Sequence, residues 1–227
     1  MPSEARERTG KRREPAVLLR ASLRGVRGAG VGVPVVAALV LVASTFAVTE
    51  SYGSPLLLAV TVILGFALQA AVDDPERSIL AAAPCALPRR TLSRVAAAGS
   101  FTLPVWLLAA AVTRWHLAAT PVPALVLQTA TLWVVGVVVA MSAWRASDSP
   151  HPSYIAAPVL LAMVLVGTLL PPQWRMFDAQ QWGPPWIAAQ LRWCAVLTLA
   201  LGLLALLLAD PMTPRRARPE ESEPRHP

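Results

Sequence analysis

The sequence predicts an all-α, polytopic membrane protein with six transmembrane helices and both termini cytoplasmic. Three observations carry this reading. Charged residues make up 15% of the 227-residue chain, where a soluble domain carries about 25%. They are gathered into islands: residues 1–27 hold eleven, 73–94 seven and 210–227 eight, while 28–72 hold Glu50 alone. The blocks between the islands are continuously apolar, with neither the alternation of a membrane barrel nor the one-sided stripe of a soluble helix. A bilayer core about 30 Å thick needs roughly 20 helical residues. The charge-free runs Gly28–Thr49, Ser51–Val72, Val95–Thr113, Trp115–Trp144, Ser149–Trp174 and Trp193–Ala209 are near or above that length.

Taken along the chain, residues 1–27 form a basic cytoplasmic N-terminus, 28–209 a six-helix transmembrane domain and 210–227 a disordered cytoplasmic tail. Within the first, residues 16–27 read as an interfacial helix. Arg20, Arg24 and Arg27 share one face beside Leu19, Leu23 and Val26, which suits anionic lipid headgroups. The spans are expected at 31–49, 55–72, 95–113, 122–144, 154–171 and 187–209. The last can run back to Pro185 if Arg192 reaches the interface. Gly28 and Gly32 form a small-xxx-small pair entering the first span, a spacing that chance produces readily in a chain this rich in Gly and Ala.

Orientation follows from arginine and lysine placement. Six spans put both termini on one side. That side holds eight basic residues before the first span, four in 73–94, Arg145 and four in the tail, against Arg114, Arg175 and Arg192 opposite. The same bias accounts for the high isoelectric point without nucleic acid, since no basic stretch is interleaved with aromatics. One Lys against nineteen Arg, with no Asn, fits a high-GC bacterium and hence a multi-pass protein of the bacterial cytoplasmic (inner) membrane. Neither a signal peptide nor a twin-arginine signal is expected, because the apolar run is too long and Arg12-Arg13 lies far from it. Cys85 and Cys194 fall at opposite faces, so no disulfide is expected.

The connections differ in character. Residues 50–55 and 114–121 are short external turns. The third, 172–186, carries Trp174, Phe177, Trp182 and Trp186, which places it at the membrane surface, with a platform for a lipid-like or aromatic substrate as the sharper alternative. On the inside, spans two, four and six stop at Asp73-Asp74-Pro75, Asp148-Ser149-Pro150 and Asp210-Pro211. Asp is poorly placed at a helix C-terminus but well placed as the N-cap of a following segment with Pro at its first position. Asp74 is thus expected to cap a helix from Pro75 to about Ala83. Pro84 and Pro88 then break it, and Arg89, Arg90 and Arg94 lead into span three.

Chemistry is sparse. There is no Walker A motif, no HExxH, no G-x-S-x-G and no pair of carboxylates inside the spans. Three His and two Cys on different faces make neither a metal nor a haem site. An enzyme is not expected, nor any cofactor. Gln128 is the polar residue expected deepest in the membrane, as an interhelical hydrogen bond before a substrate contact. Gln69 and hydroxyls such as Thr45, Thr61, Thr131 and Thr168 complete the polar set.

An N-terminal amphipathic helix, six spans with both ends inside, and the loop Ala83-Pro84-Cys85-Ala86-Leu87-Pro88-Arg89-Arg90 after Asp73-Asp74-Pro75 resemble the membrane-spanning permease subunits of ABC transporters, the type-2 exporter-like class and its small actinobacterial members. The resemblance implies a separate ATP-binding cassette ATPase as partner. It also implies a coupling loop made of Asp73, Asp74, Pro75, Pro84, Pro88, Arg89, Arg90 and Arg94, and assembly as a homo- or hetero-oligomer. The Trp- and Pro-rich final external segment departs from that class, which keeps open a non-transporting scaffold or regulatory protein.

Overall fold

The computed structural model describes residues 29–44, 53–73, 87–116, 122–147, 151–177 and 183–209. Within them the chain is all-helical, with no strand. The α-helices are α1 (Ala29–Ser44), α2 (Gly53–Ala70), α3 (Leu87–His116), α4 (Val122–Ala146), α5 (Ser153–Leu169) and α6 (Pro184–Ala209), with a short 3-10 turn at Pro172–Trp174 before α6. Three stretches, Thr91–Trp115, Val122–Ala146 and Pro184–Ala209, are long and apolar enough to cross a membrane. Gly30–Ser44, Pro55–Ala70 and Ser153–Leu169 are equally apolar but shorter. The interfacial helix expected at 16–27, the loop helix expected at 75–83 and the tail lie outside the described residues.

One helix start departs from the sequence reading. Hydropathy marks where a chain is apolar, whereas a helix continues for as long as its backbone bonds can form. Helix α3 therefore begins at Leu87, well before the apolar run at Val95. Pro88, expected to break structure, sits second in that helix, where an N–H would have had no intrahelical acceptor. Arg89 and Arg90 belong to its first turn rather than to a loop. Helix α6 starts at Pro184, one residue before the limit expected for it, with Arg192 inside the helix as in the expected span. Pro34, Pro104 and Pro158 lie inside α1, α3 and α5. Each removes one i→i−4 bond without ending its helix, as apolar spans tolerate when neighbours support them.

Helix α2 is the hub of the bundle and packs against α1, α3, α4 and α5. From Leu56 to Val72 no residue of it is exposed. One cluster joins Ala38 and Val42 of α1, Leu57, Val60 and Leu64 of α2, and Trp106, Ala109 and Ala110 of α3. A second joins Ala67, Leu68 and Ala71 of α2 to Ala98 of α3, Val137, Ala140 and Met141 of α4, and Ala156 of α5. Alanines at these contacts let helix backbones approach closely. In α1 the close approach is made by Gly30, whose added Cβ would stand 3.3 Å from Ala70 Cβ. Gly32 has open space around it, so the Gly28–Gly32 spacing does not mark a packing face here.

The outer surface inverts the usual pattern. Val36 and Val40 of α1, Leu107 and Leu108 of α3, Leu161 and Leu165 of α5, and Leu199, Leu203 and Leu206 of α6 are all exposed. Helix α6 is the most peripheral, touching α4 and the 3-10 turn. Core and perimeter should accordingly respond differently to truncation. In detergent micelles, Leu64→Ala at a fully buried α2 position should lower unfolding stability by about 2–5 kcal/mol. Leu203→Ala on α6 should change it by less than about 0.5 kcal/mol. Equal losses in thermal melts would contradict α2 as the packing centre.

Candidate functional site

The polar groups of the bundle interior concentrate along α2. Thr61 donates its hydroxyl proton to the Leu57 carbonyl at 2.9 Å. Since that is its one proton, the Trp106 Nε1–H at 2.9 Å and the Thr129 hydroxyl at 3.3 Å must both donate to Thr61. The Thr61 carbonyl further accepts from Trp133 Nε1 at 3.0 Å. One residue of α2 thus ties to α3 through Trp106 and to α4 through Thr129 and Trp133, with donors and acceptors matched. Thr131, also fully buried, bonds within its own helix, to the Leu127 carbonyl at 2.7 Å.

Two turns further along α2 the matching fails. Gln69 is fully buried, and neither Nε2 nor Oε1 meets a hydrogen-bond partner. Its amide lies against Gly136 of α4, where an added Cβ would stand 2.6 Å from Nε2. A larger residue at Gly136 would force the amide to shift. An unmatched buried amide costs on the order of 1–3 kcal/mol. Gln128, expected to be the deep polar contact, is part-buried and makes no hydrogen bond among the described residues. Gln69 is thus the more buried of the two within the bundle, because the helix packed on all sides is α2.

At the end of α2, Asp73 reaches across to α5. Its carboxylate accepts from the Ser153 backbone N–H at 3.0 Å and from the Ser153 hydroxyl at 2.6 Å, and His151 Nδ1 lies 3.6 Å away. The N-cap position of α5 is Pro152, which has no capping side chain, so a residue 80 positions earlier satisfies the first donor of that helix. A carboxylate there also meets the positive end of the helix dipole. At the ends of α4 and α6, Arg145 donates to the Leu207 carbonyl, one of the acceptors a helix C-terminus leaves open. Arg94 is buried in the second turn of α3 rather than standing on a loop. Asp74, Pro75 and Pro84 lie outside the described residues, and of Pro88, Arg89 and Arg90 the backbone alone is described.

The connection after α5 is folded back as a strap. Arg192 on α6 donates to the carbonyls of Gln173 at 2.7 Å and Arg175 at 3.2 Å, and its guanidinium lies 5.3 Å from the Trp174 ring centroid. Trp193 donates to the Met176 carbonyl at 2.7 Å and stacks edge-on with Phe177, their centroids 5.1 Å apart. Gly167 makes room for the Phe177 ring, which would stand 2.9 Å from a Cβ there. Arg192 thus holds the backbone of the segment before α6. Trp174 remains exposed while Trp193 is buried, so the Trp-rich segment divides into an anchored part and a surface part. No group of three or more metal-ligating side chains occurs among the described residues.

The residues that sequence reasoning passed over are Trp106, Trp133, Thr129 and Ser153. A signal existed for the first two. A Trp far from either end of an apolar run has no interfacial partner for its N–H and must find one inside. Comparisons with family models, with curated proteins and with solved structures return no match to this chain.

The Thr61 cluster can be tested by near-isosteric substitution. Thr61→Val leaves the Trp106 and Thr129 donors without their acceptor and should cost about 1–3 kcal/mol. Thr131→Val, which loses one bond inside its own helix, should cost clearly less. Denaturant titration of both variants in the same detergent checks the order, and equal losses would remove Thr61 from its central place.

Proposed function

We propose that the chain is the membrane-spanning subunit of an ABC-type transporter, driven by a separate ATP-binding cassette ATPase. In this reading all six helices cross the bacterial cytoplasmic membrane and both termini face the cytoplasm. The apolar perimeter of α1, α3, α5 and α6 supports immersion in lipid. The distribution of Lys and Arg supports the orientation.

The observation that carries the coupling part is the bond of Asp73 to Ser153. Residue 73 opens the longest internal connection, and Ser153 closes the next one on the same side. A push on the segment between α2 and α3 would therefore reach α2, α3 and α5 together, which is what a partner that changes shape on ATP hydrolysis requires of its coupling loop. The charges that would attract that partner are those of Arg89 and Arg90, at the start of α3. Arg94, buried in the bundle, supports α3 from within.

The test uses the full chain co-expressed with any ATP-binding cassette ATPase encoded beside it. Wild-type protein should co-purify with the ATPase and change its rate of hydrolysis. Reversing charge with Arg89→Glu and Arg90→Glu should weaken association at least about tenfold through like-charge repulsion. Membrane insertion should be unaffected, with Cys85 labelled by thiol reagents from the cytoplasmic side alone. Labelling of Cys85 from outside intact cells overturns the orientation. Absence of both co-purification and any effect on ATPase rate overturns the transporter reading and leaves a scaffold or regulatory role.

A further inference from the structure

We propose that the end of α2 is a latch. The Asp73–Ser153 pair holds the Gln69 amide dry against Gly136, and release of that pair lets the helix end move so that the amide becomes hydrated. The inference is independent of the transport reading. It starts from a mismatch: the interior of this bundle satisfies its polar groups carefully at Thr61, yet leaves both ends of the Gln69 amide without partners.

Three features make this mismatch a device. Gln69 and Asp73 are four residues apart in sequence, Asp73 standing three residues beyond the last helical residue of α2. Asp73 is close to the surface, with 17% side-chain exposure, whereas Gln69 has none. A partly exposed group thus lies a few residues from an amide that would gain two or more hydrogen bonds by meeting water. Next, the α4 surface facing the amide is Gly136, which presents no side chain to interlock with it, so that contact resists sliding weakly. Last, α2 loses regular geometry just after Gln69: Val72 N–H bonds to the Gln69 carbonyl at 2.9 Å and Asp73 N–H to the Ala70 carbonyl at 3.2 Å. These tight turns end the helix where a small rotation is easiest. Against the pull toward water stand the two hydrogen bonds that Ser153 donates to Asp73.

The latch makes predictions of opposite sign for neighbouring residues. The experiment is hydrogen–deuterium exchange of the full chain in lipid nanodiscs, read by mass spectrometry over residues 66–73. Asp73→Ala should speed exchange of this segment by about tenfold or more, since hydrogen bonds to a charged group are lost. Gly136→Ala, which obstructs the closed packing, should speed it as well. Gln69→Met keeps the shape and removes the amide, so it should slow exchange there while leaving α6 unchanged. The decisive variant combines Gln69→Met with Asp73→Ala and should return the segment to near the wild-type rate. If Asp73→Ala does not yield folded protein, Ser153→Ala removes one of the two bonds and carries the same expectation at smaller size. Exchange that is unchanged in Gln69→Met overturns the latch. So does slowing spread evenly over all helices, or an Asp73→Ala effect that is equal with and without the amide.

Discussion

The hydroxyl of Thr61 is where the bundle is fixed. An apolar interior gives helices little directional preference for one another, because each leucine packs about as well against a neighbour as against lipid. Direction has to come from polar groups, which must be matched inside. Thr61 matches four of them across α2, α3 and α4. Once these three helices are joined, the positions of α1 and α5 follow from the remaining faces of α2, and α6 follows from α4. The arrangement of small residues along α2 then becomes intelligible, since Ala67, Ala70 and Ala71 sit where neighbouring backbones or side chains come closest.

The helix ends are organised by a second rule. Every helix leaves backbone donors at one end and acceptors at the other, and water is scarce where these ends meet apolar surroundings. Asp73, Arg145 and Arg192 each serve a backbone group of another element. Charge in this chain therefore joins elements. The same residues that a topology count treats as flanks are ties between elements distant in sequence.

The helical class and the number of apolar segments were legible in the sequence, because long charge-free runs admit few other structures. Boundaries were less so: Leu87–Arg94 is helical although it is not apolar, and Pro88 fits a first turn as readily as a break. The site was harder still. The Asp-Asp-Pro sequence marked Asp74 as a cap for the next segment, but the tie of Asp73 to Ser153 is set by how α2 meets α5, and no local spacing encodes that. Gln69 and Gln128 look alike on a hydropathy profile, and packing alone separates them. The mid-span tryptophans were the missed signal, since each announces a buried acceptor nearby.

Thr61 and Gln69 share a helix and a degree of burial, yet their surroundings are opposite in kind. The first is saturated with partners that belong to other helices, so displacing it breaks several bonds at once. The second has no partner to lose and lies on a glycine, so displacing it costs mainly close contacts. The proposed latch requires stability to fall from Thr61 toward Asp73, which lies just beyond the end of α2. Two polar residues in one apolar wall thus give it a fixed end and a movable end, and the Asp73 carboxylate at the movable end decides which neighbour that end stays with. A helix built this way can transmit a displacement applied beyond Asp73 to α5 while the junction at Thr61 stays in place. That combination needs no charge in the middle of the bundle, in keeping with the nearly uncharged interior of the sequence.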